Sequence, residues 1–238
     1  MADDSNPHAP WGELLATYLV ESDDGVNRFD YGGLKNSADD LAKLDAYLAG
    51  FETLDVAALE DNAQFAAWSN IYNALTVKHI VGRYPIKSIR SGYIIGPWKR
   101  VKTTVNGVEV SLDEIEHGIL RVEFDDPRVH YAVNCASYGC PNLRVEPWVA
   151  ETLDEDLDDA ARAFINHPRG VSIRDRGGLK VSEIYKWFKE DFGGTEEAVI
   201  AHFLDYADDA LAEDIRANAD IKKYDYDWAL NDVQPALR

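Results

Sequence analysis

The stretch DNAQFAAWSNIYNALTVKHIV, residues 61–81, decides the fold, because Phe65, Trp68, Ile71, Tyr72, Leu75 and then His79 recur at the spacing of a helix face. It predicts a central helix, closed by Tyr84-Pro85. Within it, Trp68-Ser69-Asn70-Ile71-Tyr72-Asn73 sets two asparagines three apart among apolar residues, where asparagine is a poor helix former. Their amides either bind backbone at a helix crossing or present hydrogen bonds to a ligand, which makes Asn70, Tyr72 and Asn73 the candidate substrate-binding residues.

Upstream lie turn signals at Asp23-Asp24-Gly25 and Gly32-Gly33, then a helix with Ser37 as N-cap, Leu41, Leu44, Tyr47 and Leu48 on one face, and Gly50 as its stop. Downstream, Val101 to Val110 alternates around Asn106-Gly107 and predicts a hairpin. Ser111 and Glu114 form a capping box that opens a helix running to Arg121. Val129 to Cys135 reads as a strand, and helical patterns return at 149–165 and 182–192. Between those two, Val171–Ile173 and Leu179–Val181 flank Gly177-Gly178 as a second hairpin. Two acidic helices over 195–205 and 208–218 precede an alternating piece, Tyr224 to Trp228, expected as a closing edge strand.

These elements define an α+β chain. Residues 1–238 are expected as a single domain with a flexible N-terminus over 1–10, a central helix packed on a small, mainly antiparallel sheet, and additional helices at both ends. There is no internal repeat, low-complexity segment or Pro/Gly/Ser-rich linker.

Composition narrows the partners. Asp and Glu number 43 against 24 Lys and Arg, a formal charge of −19, which repels phosphate backbones and anionic headgroups and argues against nucleic acid. No apolar run approaches the roughly 18 residues of a membrane span, and residues 1–10 lack the basic and apolar regions of a signal peptide. The oligomeric state and any cofactor leave no mark in the sequence, and none is assigned. The expected partner is a small molecule or a peptide.

The chemistry concentrates between Ser111 and Pro141. On a helix from Ser111 to Arg121, Glu116 falls inside the arc of Leu112, Ile115, Ile119 and Leu120, with His117 at its border. A buried carboxylate demands a cationic or hydrogen-bonding partner, or a raised pKa. The only two cysteines, Cys135 and Cys140, lie five positions apart. Strand alternation makes Cys135 a core residue, whereas Cys140, between Gly139 and Pro141, is expected in a partly exposed turn where a thiolate is favoured. Cys140 is thus the candidate nucleophile, His117 or His130 its base and Glu116 the orienting group. Cys135 and Cys140 are equally a candidate disulfide. A zinc site from the two cysteines, His117 and His130 has the right donor types, but its spacing matches no standard finger, and no metal is assigned.

Several of these motifs carry a family resemblance. Residues 68–74, 111–121, Asp126-Pro127-Arg128-Val129-His130-Tyr131-Ala132 and Gly139-Cys140-Pro141-Asn142-Leu143 resemble the bacterial branch of the domain-of-unknown-function family 547, and the likeness continues through 185–188, 191–194 and 226–228. The family carries no established activity. Its bacterial members commonly bear an export signal, so the resemblance implies a periplasmic or secreted protein. Plant members replace the cysteine of the Gly-Cys-Pro position. A papain- or transglutaminase-like core is a further analogy. The expectation that follows is a thiol-dependent hydrolase or acyl transferase acting on an amide or peptide-like substrate. The competing expectation is a non-enzymatic periplasmic binding module for a peptide or a thiol compound such as glutathione, its two cysteines paired.

Overall fold

The computed structural model describes residues 6–233. Ten α-helices and seven short strands alternate along the described chain: α1 (Ala9–Tyr18), β1 (Leu19–Val20), β2 (Arg28–Phe29), α2 (Tyr31–Asn36), α3 (Ala38–Ala49), α4 (Asp61–Arg83), β3 (Lys102–Val105) and β4 (Val108–Ser111) come first. A π-helix (Glu114–Leu120) then runs into α5 (Arg121–Glu123), followed by α6 (Val129–Ala132), α7 (Leu153–Ile165), β5 (Val171–Ile173), β6 (Leu179–Ser182) and α8 (Ile184–Trp187). A 3-10 turn (Lys189–Phe192), α9 (Glu196–Tyr206), α10 (Asp209–Ala217) and β7 (Ile221–Asp225) complete the order. The α+β class read from the sequence holds.

Helix α4 is buried along most of its length, from Phe65 to Val81, and α2, α3 and the π-helix pack around it. Its first core takes in Trp11 and Leu14 of α1, Tyr31 and Leu34 of α2, and Leu44 and Leu48 of α3. A second core, with Phe164, Val181, Tyr185, Phe203 and Ile215, lies over the three-stranded sheet β5-β6-β7. Pairing is antiparallel in β1–β2, β3–β4 and β5–β6, and parallel between β6 and β7. The β3–β4 hairpin turns at Asn106 and Gly107, with φ of 48° and 72°, the left-handed pair that its Asn-Gly sequence favours. Ser37 caps α3 by accepting from Asp40 N, and Ser111 and Glu114 make the reciprocal capping bonds expected of them.

Three expectations are corrected. Val129 to Cys135 is not a strand: Val129–Ala132 is a helical turn and the chain becomes extended only at Val133. The apolar residues there serve two cores, Val129 and Ala132 the first and Tyr131 the second, which a helical turn allows and a flat alternation does not. The closing strand lies earlier than 224–228, at Ile221–Asp225, and Tyr226 and Trp228 leave the sheet to line a cavity. The helix after Ser111 is a π-helix. Within the N-terminal stretch expected to be flexible, His8 is buried against Tyr47 and α1 starts at Ala9; residues 1–5 lie outside the described residues.

Candidate active site

A cavity of about 700 Å³ opens where the two cores meet. Tyr72 of α4, Glu116 and His117 of the π-helix, His130 of α6, both cysteines and Pro141 contribute to its wall. Trp98, Trp187, Phe188, Tyr226 and Trp228 give it an aromatic lining, in which Trp187 stacks on Trp228 and Tyr226 tilts against both.

The cysteine loop is built by backbone constraints. Ala136 adopts φ of 59°, a left-handed turn directly after Cys135, and Asn134 stabilises it by accepting from Ala136 N at 2.8 Å while donating to Pro141 O at 2.7 Å. Gly139 N donates to Asp227 O at 2.9 Å, and a Cβ at Gly139 would come within 2.8 Å of Asp227 N, so the close approach of the two segments requires glycine. Arg169 donates to the carbonyl oxygens of Tyr138 and Cys140 from outside the loop.

This geometry folds Cys140 inward. Cys140 is the buried cysteine and Cys135 the half-buried one, the reverse of the sequence expectation, because the left-handed residue at 136 turns the chain back on itself. No bond joins them in the structure, and their Sγ atoms lie 2.7 Å apart. Cys140 Sγ also receives the backbone N–H of Cys135 at 3.1 Å and the Ser137 hydroxyl at 3.4 Å, and Tyr226 Oη lies 3.1 Å away. Burial alone pushes the Cys140 thiol up, but hydrogen bonds from Cys135, Ser137, Tyr226 and the Cys135 amide outweigh it and bring it down to about 6. Its bond to Cys140, and then burial, hold the Cys135 thiol well above the usual cysteine range. The two opposite shifts make Cys140 the more acidic member of the pair and Cys135 the one that keeps its proton.

The histidines face different partners. His130 is buried, stacked on Phe188 at 4.1 Å between ring centroids, and its Nε2 lies 2.6 Å from Asp191 Oδ2. Arg121 grips both oxygens of Asp191, at 2.5 and 2.6 Å. Burial would raise the Asp191 carboxyl, yet the bonds from His130 and Arg121 hold it well below the carboxylate range. An ionised Asp191 only accepts, so Nε2 of His130 carries the proton. Burial lowers the His130 pKa despite Asp191, which leaves a neutral ring with Nδ1 as its basic atom. His117 Nδ1 instead lies 3.3 Å from Arg121 Nη1, a donor only, so its Nδ1 is engaged as an acceptor. Of the two candidates, His130 has the geometry of a base held by a carboxylate. Neither histidine is hydrogen-bonded to Cys140.

Glu116 is buried as its helix position implied, and Tyr72 Oη donates to its Oε2 at 2.9 Å. It lies 3.9 Å from His117, and the carboxylate bonded to His130 is Asp191 rather than Glu116. Asn70 and Asn73 do not reach the cavity. Asn70 clasps Trp148 through both its N–H and its C=O, at 3.0 and 2.8 Å, while Asn73 donates to Ala132 O at 2.9 Å and accepts from Asn134 N at 2.8 Å. They tie α4 to the chain on either side of the cysteine loop, the backbone-binding alternative. Among the described residues no group of three or more His, Cys, Asp or Glu side chains is arranged to hold a metal ion, and no helix is long and apolar enough to cross a membrane.

Asp191, Arg121 and Tyr226 were absent from the sequence-derived site. Asp191 and Tyr226 stand within the motifs carrying the resemblance, Asp191-Phe192-Gly193-Gly194 and Tyr226-Asp227-Trp228, which was the signal available for them.

Fold and site together define an α+β protein with a paired-cysteine loop and a carboxylate-held histidine around one aromatic cavity. Residues 56–165 match the model of the family described as "Protein of unknown function, DUF547", which bears out the resemblance over that stretch. The match takes in Tyr72, Glu116, His117, His130 and both cysteines, and ends before Asp191 and Tyr226. No curated protein and no solved structure gives a significant match to the chain.

Proposed function

We propose that the protein is a thiol-dependent hydrolase or acyl transferase with Cys140 as nucleophile and His130 as base, acting on an amide- or ester-linked substrate with an apolar or aromatic body. The observation that carries the reading is the set of hydrogen bonds converging on Cys140 Sγ in the wall of the cavity that also holds His130. A thiolate prepared by its own loop needs no contact with a histidine to become nucleophilic. His130 is then free for the later proton transfers.

Cys140 Sγ adds to the substrate carbonyl carbon, the tetrahedral adduct collapses, and the leaving group departs with a proton, taken from water in the first turnover and from His130 thereafter, leaving a thioester on Cys140. His130 Nδ1 next takes a proton from water, whose oxygen attacks the thioester carbonyl and releases the acid with restoration of the thiolate. The proton left on His130 serves the next leaving group. Asp191, fixed by Arg121, supports the charge that His130 acquires. Trp98, Trp187 and Trp228 supply the surface for the substrate's apolar body. A periplasmic or secreted setting, as the resemblance implies, belongs to the same proposal.

A panel of aryl esters and anilides, read by chromophore release and by intact mass, tests it. A covalent acyl adduct mapped to Cys140, with turnover abolished in a folded Cys140→Ala variant, is the expected result. Unchanged turnover in that variant overturns the reading.

A further inference from the structure

Cys135 forms and breaks no bond to substrate in the acyl-transfer scheme, where it only hydrogen-bonds Cys140, yet its sulfur is held 2.7 Å from that of Cys140 and both side chains line the cavity. The contact is built into the loop. Cys140 N donates to Ser137 O at 3.1 Å, closing the turn between the cysteines, and Asn134 spans it from Ala136 to Pro141. Tyr226 Oη lies 3.2 Å from Cys135 Sγ and 3.1 Å from Cys140 Sγ, against the side of the pair. Two sulfurs 2.7 Å apart need only a short approach to reach the bonding distance of a disulfide.

We propose that Cys135 and Cys140 are a thiol–disulfide exchange centre whose substrate is a low-molecular-weight organic disulfide admitted to the aromatic cavity. The Cys140 thiolate attacks one sulfur of the disulfide, forming a mixed disulfide and releasing the first thiolate, which takes a proton from solvent. Cys135 then gives up its proton and attacks Cys140 Sγ, forming the Cys135–Cys140 bond and releasing the second thiol. The two electrons that reduce the organic disulfide come from the two cysteines, which are oxidised to one intramolecular disulfide. An external thiol reverses both steps. Asymmetry within the pair suits this order: Cys140 is the ready nucleophile and Cys135, kept as the thiol, acts second. The inference shares Cys140 with the proposed acyl transfer but stands on the sulfur–sulfur contact, and it holds or fails independently of any turnover of esters.

Dithiodipyridine is the probe, because its aromatic rings suit the cavity and each exchange releases a chromophoric thiopyridone. Reduced, desalted protein is mixed with the reagent in slight excess, and thiopyridone release and intact mass are followed together. The expected result for the native chain is two thiopyridones released per protein, no retained adduct, and the loss of two hydrogens in mass. Cys135→Ala should stop at one thiopyridone and carry one stable adduct on Cys140, and Cys135→Ser should do the same if the alanine variant is poorly folded. Retained adducts on the native chain, whether one or two, or failure of Cys140 to react, overturn the proposal. The native chain's aryl-ester turnover is measured separately, so that exchange without acylation, or acylation without exchange, decides each reading on its own.

Discussion

Asn73→Ala should loosen the cysteine loop at the same time as it destabilises the fold. The asparagine is buried in α4 and makes two backbone hydrogen bonds, to Ala132 O and from Asn134 N, that fix the chain entering Cys135. Ala132 O keeps a second donor, the Trp148 indole at 3.2 Å, so truncation orphans mainly the Asn134 N–H. Two net hydrogen bonds contribute about 1 kcal/mol each, and a buried unpaired N–H costs about 1–3 kcal/mol, so a loss of roughly 3–5 kcal/mol is expected. Urea unfolding measures it, and iodoacetamide labelling under native conditions measures the loop. Asn70→Ala, which frees the backbone of Trp148 instead, provides the contrast: a comparable loss of stability with little change at the cysteines. An Asn73→Ala change below about 0.5 kcal/mol, or equal labelling in both variants, would refute the reasoning.

Two further outcomes follow from the charges. Asp191→Asn removes the carboxylate charge that faces His130 and partners Arg121, so hydrolysis of an acyl-Cys140 intermediate should slow at least about tenfold while acylation changes less, a split that pre-steady-state kinetics resolves. Burial lowers His8 from 6.5 to about 4, which makes the folded state the weaker proton binder; its contribution is complete above pH 6.5 and is lost as pH falls toward 4. With His8 only 5% exposed, the shift corresponds to roughly 3 kcal/mol at most, and unfolding of a His8→Gln variant between those pH values should show a shallower acid decline than the native chain.

Patterns that depend on near neighbours were legible before the structure. The face of α4, the Asn-Gly turn and the Ser111–Glu114 cap each rest on residues within one or two turns of each other, and each appears where the sequence places it. Glu116 was found by the same logic, as a carboxylate on an apolar face, and its hidden partner was Tyr72, 44 positions away. The reading failed where one short segment serves two cores. Val129–Ala132 alternates like a strand because successive side chains go to different cores, and the period cannot reveal that. From that error came the misplaced cysteines, since a strand ending at Cys135 would leave Cys140 outside, whereas the left-handed residue Ala136 brings it in. Asp191 was out of reach for another reason: its bond to His130 spans 61 positions and no local pattern records it.

The claim on which the rest stands is that Cys140 is a prepared thiolate. Timed labelling of the reduced protein with iodoacetamide from pH 4.5 to 9, with peptide mapping of both cysteines, tests it most directly. The structure predicts that Cys140 is labelled first, at a rate that falls as pH drops through about 6. Labelling of Cys135 first, or a rate at Cys140 that rises only near the ordinary cysteine value of about 8.5, would contradict it.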